Sequence, residues 1–75
     1  MKAFKKRMVK EYFELIERIN KLGFAIEKYK YDTKKISDDH YRLMVAQHHA
    51  MCAYEGILRA RIEDLGIKIG LVNKN

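Results

Sequence analysis

The stretch MVKEYFELIERINKLGFAIEKY, residues 8–29, decides the fold of this chain. Its apolar positions are spaced 4-3-4-3-4-3 and comprise Met8, Tyr12, Leu15, Ile19, Leu22, Ile26 and Tyr29. Positions with this spacing return to one side of an α-helix, and the pattern is typical of a helix packed along a seam. We therefore predict a helix over residues 3–29 with one long apolar stripe.

A second helix is predicted after a short connection at residues 30–36. Ser37 is a residue type that caps helix N-termini, and the two acidic residues after it suit the positive end of the helix dipole. Gly66 is a residue type that ends helices. These signals predict a helix over residues 37–65.

The second helix carries an apolar series that repeats every seven residues and is formed by Met44, Met51, Leu58 and Leu65. Such a series predicts a face packed on a partner helix, and the first helix is the nearest partner. We therefore predict an all-α fold, an antiparallel two-helix hairpin, as a single domain over residues 1–75. The tail at residues 66–75 is apolar enough to dock, either as a strand-like arm or as a short last turn.

A series of small side chains on the same helix predicts a further helix contact. Ala46, Ala53 and Ala60 repeat at seven, with Ala50 between them and with Leu43 and Ile57 at their border. A 75-residue hairpin gives each helix only one partner, although 48% of its residues are hydrophobic, and small domains bury only about 60% of their unfolded surface. We therefore predict that the hairpin assembles into a helical-bundle homo-oligomer.

The charge is unevenly distributed along the chain. Residues 1–35 hold eleven Lys/Arg and five Asp/Glu, whereas residues 36–75 hold five of each, so the net charge of +6 belongs to the first part. A concentrated basic stripe attracts anions, which include nucleic acids, nucleotides and acidic proteins.

The sequence also bears on compartment and membrane contact. The single Cys52 excludes an internal disulfide framework and fits a reducing compartment. No apolar run approaches the roughly 18 residues of a membrane span, and the basic start lacks the apolar stretch of a secretory signal. These features predict a cytoplasmic protein without a membrane partner.

Metal binding and catalysis are both weakly supported by the residues. His48 and Cys52 lie four apart on one helix face, but zinc requires three or four ligands, and no second Cys/His pair occurs elsewhere. Cys52 beside His48 has the spacing of a thiolate pair, although a cysteine among apolar neighbours is more often a small packed side chain. We predict no metal, no cofactor and no enzymatic activity.

Anion binding gives a sharper hypothesis. An antiparallel hairpin brings the start of the first helix close to the end of the second, and polar residues of the seam can add to a pocket formed in an oligomer. Arginines bind phosphates in bidentate fashion and tyrosines offer flat faces to bases. The candidate ligand-binding residues are Arg7, Lys10, Tyr12, Gln47, His48, Tyr54 and Arg61. The alternative is an ordinary solvated basic face with the tyrosines in the core.

Two segments carry a resemblance to known proteins. They are KKRMVKEYFELIERINKL, residues 5–22, and YRLMVAQHHAMCAYEGILRARIEDLG, residues 41–66. Together they resemble a group of small phage proteins that is named after a crAss-like phage. Proteins of this group have no classical enzymatic role. The helical-hairpin form is also similar to phage anti-CBASS and anti-Thoeris sponges, which are oligomers that trap nucleotide immune signals without cleaving them.

The resemblance implies a phage-type protein that sequesters a cyclic nucleotide or ADP-ribose-type defence signal in an infected bacterial cell. Two other functions stay open: a nucleic-acid-binding accessory protein that uses the basic helix, and an adaptor that inhibits a host protein through an apolar surface. Glu11, Glu14 and Glu17 dilute the basic face that a nucleic-acid binder requires. The seam residues Gln47 and His48 favour an enclosed ligand pocket.

Overall fold

The computed structural model describes residues 3–32 and 35–68 and contains two helices, α1 (Ala3–Lys30) and α2 (Asp38–Asp64). The two helices pack against each other, which confirms the predicted all-α hairpin. Their direction is antiparallel, because the start of α1 meets the end of α2. α1 ends one residue later than predicted, and α2 is one residue shorter at each end.

Both ends of α2 are closed by local hydrogen bonds. The Ser37 side chain accepts a bond from the His40 backbone N–H at 3.0 Å, as expected for an N-cap. At the other end Gly66 has a φ of 77°, and its N–H donates to the Glu63 carbonyl at 2.9 Å. The Ile67 N–H donates to the Ile62 carbonyl at 3.2 Å, which completes a Schellman motif that favours glycine.

This motif turns the chain back onto the core. Ile67 is partly buried and packs against the core cluster, so the apolar tail begins to dock at its first apolar residue. The predicted conformation of residues 69–75 lies outside the described residues.

The buried side chains lie at one end of the hairpin. Tyr12, Leu15, Leu58 and Ile62 form the core, and their partly buried neighbours are Met8, Ile16, Ile19, Met51 and Ile67. All of them belong to residues 3–20 and 51–68, here called the terminal half. In the turn half, residues 21–32 and 35–50, the apolar side chains of the seam are only partly buried.

α2 has a second apolar face, which points away from α1. This outer strip consists of Leu43, Ala46, Ala50, Ala53, Ile57 and Ala60, and all six are exposed. Leu43 and Ile57 have 66% and 60% of their surface accessible. The sequence prediction that this series does not serve the α1 contact is confirmed, and the oligomer stays a prediction with a defined surface.

Candidate functional site

Two reciprocal tyrosine–glutamate hydrogen bonds join the helices in the terminal half. The Tyr12 hydroxyl on α1 donates to Glu55 Oε2 on α2 at 2.7 Å. The neighbouring residues reverse the arrangement, because the Tyr54 hydroxyl on α2 donates to Glu11 Oε2 on α1. Both tyrosines were predicted as site residues from the sequence, but their glutamate partners were not. The available signal was the pair Glu-Tyr in α1 mirrored by Tyr-Glu in α2.

The inner pair is part of the core. Tyr12 is 2% exposed, and its ring contacts Phe13 edge-on at 5.7 Å between ring centres. Burial, and then the bond to Glu55, raise the pKa of Tyr12. Arg59 Nε donates to Glu55 Oε2 at 2.9 Å, and this bond, followed by that from Tyr12, lowers the pKa of Glu55. Tyr12, selected as a stacking face, therefore has almost no ring surface left for a base in the hairpin.

The outer pair is accessible. Tyr54 is 39% exposed, and the hydrogen bond to Glu11 is the main cause that raises the pKa of Tyr54, while the positive charge of Arg61 acts in the opposite direction. Gln47, Tyr54 and Arg61 are spaced by seven and so lie in one line along α2. That line runs between the α1 contact and the outer strip. Tyr54 thus presents its ring beside an arginine.

Arg7 extends this group onto α1. It precedes Glu11 by four residues and so lies on the same side of α1. Arg7, Glu11, Gln47, Tyr54 and Arg61 are here called the tyrosine edge. Its two guanidinium groups can donate to phosphate oxygens, and its carboxylate can accept from a ribose hydroxyl or a base amine.

The other candidates lie elsewhere. Lys10 is two residues from Tyr12, which places it on the opposite side of α1, and it is exposed. His48 is half-buried in the seam, where its Nε2 lies 3.3 Å from the position that a Cβ at Gly23 would occupy. Cys52 Sγ lies 3.8 Å from His48 Nδ1, and Cys52 is exposed rather than packed. The expectation of a small packed cysteine is therefore wrong.

Gln47 is exposed in the hairpin. Its Nε2 lies 3.9 Å from Met51 Sδ, a weak contact along the helix surface. A single hairpin thus does not enclose this side chain, and the prediction that Gln47 lies inside the apolar seam is wrong, whereas His48 does lie there.

A cavity of about 220 Å³ lies near the turn and was not selected from the sequence. Its lining residues are Tyr29, Lys30, Ile36, Ser37, Asp38 and Tyr41. Ligand pockets for drug-sized molecules run from roughly 300 to 1,000 Å³, so this cavity fits a single ring rather than a nucleotide. The sequence signal was the pair of tyrosines that flank the turn.

Two further findings hold for residues 3–32 and 35–68. They contain no group of three or more His, Cys, Asp or Glu side chains placed to hold a metal ion. Neither α1 nor α2 is long and apolar enough to cross a membrane.

Comparison with known proteins gives one family. The Sequestin family model matches residues 2–64, a range that includes α1 and ends with the last residue of α2. No curated protein and no solved structure matches the chain. The match covers the tyrosine edge and the outer strip completely.

Proposed function

The chain belongs to the Sequestin family, and on that premise we propose that it sequesters a small molecule by binding alone. The family name indicates sequestration, and the tyrosine edge supplies groups that hold a ligand. The observation that carries the proposal is the accessible Tyr54 ring, placed between Glu11 and Arg61.

The ligand we propose is a cyclic nucleotide or an ADP-ribose-type nucleotide that acts as a defence signal. Stacking on a tyrosine contributes about 1–3 kcal/mol per base, and hydrogen bonds to charged donors are roughly twice as strong as neutral ones. Arg7 and Arg61 are exposed and have the fork geometry that phosphates prefer. Glu11 accepts from Tyr54 through Oε2, and its other carboxylate oxygen can accept from a sugar hydroxyl or a base amine beside the phosphates.

The affinity required points to more than one hairpin. A stoichiometric trap for a signalling molecule has to reach about −12 kcal/mol, the nanomolar range. One exposed edge does not desolvate a ligand enough for this, because deep sites bury 70–90% of a drug-sized ligand. We therefore propose a homo-oligomer in which a second copy covers the edge. In this view the protein is a phage-type immune-evasion protein that acts in the cytoplasm of an infected bacterial cell.

A binding screen tests the proposal. The purified protein is heated with a panel of cyclic dinucleotides, cyclic trinucleotides and ADP-ribose isomers, and we expect at least one to raise the midpoint of thermal unfolding. Ligand recovered after heat denaturation should be chromatographically unchanged. No shift with any nucleotide, or recovery of a cleaved product, contradicts the proposal.

Variants assign the binding to the edge. Arg61→Ala should weaken binding at least tenfold and leave helicity unchanged. Lys28→Ala, which removes an exposed cation of α1 outside both the edge and the outer strip, should have little effect. Equal losses from both variants would show that only net charge matters.

The second candidate function is nucleic-acid binding through the basic start of α1. The side of α1 that carries Lys10 is exposed and independent of the tyrosine edge. Binding to duplex DNA with a steep salt dependence, together with no response to any nucleotide, would favour this function. Binding to a host protein without either response would favour the adaptor.

A further inference from the structure

The outer strip of α2 has the residue spacing of a helix–helix interface. Its members, residues 43, 46, 50, 53, 57 and 60, are spaced 3-4-3-4-3, and all are exposed in the hairpin. This is the a/d spacing of a coiled-coil seam. The α1 contact occupies the other side of α2, where Leu58 and Ile62 are 0% exposed. α2 therefore serves two partners, and the structure supplies only one.

We propose that the second partner is α2 of another copy, packed antiparallel. Along the strip the large side chains are Leu43 at the start and Ile57 near the end. The other four positions, 46, 50, 53 and 60, are alanines. In an antiparallel pair Leu43 faces Ala60, Ile57 faces Ala46, and Ala50 faces Ala53 of the other copy. Every large side chain then meets an alanine, whereas a parallel pair sets Leu43 against itself and leaves the alanine layers empty. Dense packing requires such large-to-small alternation.

The charges beside the strip agree with this direction. Arg42 and Glu63 border the strip on one side and are exposed. Antiparallel packing brings Arg42 of each copy close to Glu63 of the other, and these flanking positions set helix orientation in coiled coils. Asp39 and Asp64 end the apolar strip, so they limit the interface to residues 43–60. Arg42 already pairs with Asp39, which offsets the negative charge at that end.

The size of the strip sets the expected strength. Eighteen residues span about 27 Å at 1.5 Å per residue, and a helix is about 10 Å wide. The buried area is therefore on the order of 600 Å² in total, below the roughly 1,200 Å² of stable specific interfaces. We expect a reversible dimer in the micromolar range rather than a permanent one.

The same pairing completes the ligand site, a consequence that rests on the proposed function. The line of Gln47, Tyr54 and Arg61 borders the strip on the side opposite Arg42, so an antiparallel pair places both lines on one edge. Tyr54 of one copy comes level with residue 49 of the other, and the two Tyr54 side chains are then about 7.5 Å apart along the axis. A flat ring fits between them, with one Gln47 beside each tyrosine and one Arg61 at each end. The second copy thus contributes a residue of every type that the site uses.

Disulfide cross-linking tests the pairing without any ligand. In a Cys52→Ser background, the chain carries Leu43→Cys and Ala60→Cys, and oxidised protein is digested and analysed by mass spectrometry. The two cysteines of one hairpin are about 26 Å apart along α2, far beyond the roughly 7 Å limit of a disulfide, so any bond joins two chains. We expect peptides that link position 43 to position 60. Links of 43 to 43 and 60 to 60, or no more dimer than an Asn20→Cys control on α1 gives, would overturn the proposal.

A second variant keeps the test valid if the cysteines disturb folding. Ala50→Glu places a charge in the central layer, and we expect it to raise the dimer dissociation constant at least tenfold in sedimentation experiments while helicity is retained. Ala3→Glu, an exposed alanine outside the strip, is the matched control. An unchanged dimer in Ala50→Glu, or a wild-type chain that stays monomeric up to submillimolar concentration, would overturn the pairing. An antiparallel dimer that binds no nucleotide would instead refute the proposed function alone.

Discussion

The terminal half and the turn half of the hairpin differ in how completely they bury their apolar side chains. In the terminal half Tyr12, Leu58 and Ile62 are at most 2% exposed, whereas the apolar seam residues of the turn half, among them Leu22, Ile26 and Met44, are only partly buried. The seam of the turn half contains Gly23 facing His48, so it has less apolar volume with which to exclude water. We therefore expect the terminal half of the seam to provide most of the fold's stability.

The largest expected effect on stability comes from replacing one leucine in each half with alanine. Leu58→Ala should lower the free energy of unfolding by about 2–5 kcal/mol, because the side chain is fully buried and its removal leaves a cavity. Leu22→Ala in the turn half, where the side chain is only partly buried, should cost roughly half of that or less. Urea unfolding followed by circular dichroism at one fixed protein concentration measures both. Equal losses would contradict the division into a packed and a loosely packed half.

A smaller effect is expected from removing one tyrosine hydroxyl from each half. Tyr12→Phe deletes the 2.7 Å bond to Glu55 inside the core and should cost about 1–2 kcal/mol. Tyr41→Phe removes the hydroxyl of a half-buried tyrosine in the turn half and should change stability by less than about 0.5 kcal/mol. If Tyr41→Phe lowered the free energy of unfolding as much as Tyr12→Phe, the hydrogen bond from Tyr12 to Glu55 would not be what distinguishes the two halves.

Acid should weaken the terminal half through Glu55. Because Arg59 and then Tyr12 donate to its carboxylate, the pKa of Glu55 is lowered in the folded chain. Because the pKa is lowered, the ionised carboxylate stabilises the fold at any pH above the pKa of the unfolded chain, about 4.3. This contribution disappears as the pH falls through the lower pKa of the folded chain. Glu55→Gln should therefore flatten the acid side of a stability–pH curve, and Glu27→Gln, an exposed control on α1, should not. Identical curves for wild type and Glu55→Gln would refute the assignment.

The difference between the halves also explains what sequence reasoning could reach. The 4-3 spacing in α1, the Ser37 cap and Gly66 determine local structure, so two helices and their approximate ends were predictable. The same spacing does not state how deeply each position is buried, because burial depends on what faces it across the seam. Tyr12 and Tyr54 looked alike in sequence, yet their exposures are 2% and 39%. Their glutamate partners are 43 residues away, and only the register of the hairpin reveals them.

The smallest predicted effect compares one glycine from each half. Alanine is favoured over glycine within a helix by about 1 kcal/mol, and a Cβ at Gly56 would meet nothing within 4 Å. Gly56→Ala should therefore raise the free energy of unfolding by about 0.5–1 kcal/mol. A Cβ at Gly23 would lie 3.3 Å from His48 Nε2, so the imidazole must move before the helix gains anything. Gly23→Ala should therefore raise the free energy of unfolding less than Gly56→Ala does. In a His48→Ala background the imidazole is absent, so Gly23→Ala should stabilise the fold as much as Gly56→Ala. A double-mutant cycle at positions 23 and 48 measures this coupling, and a coupling of zero would mean that the approach of His48 to Gly23 does not limit packing in the turn half.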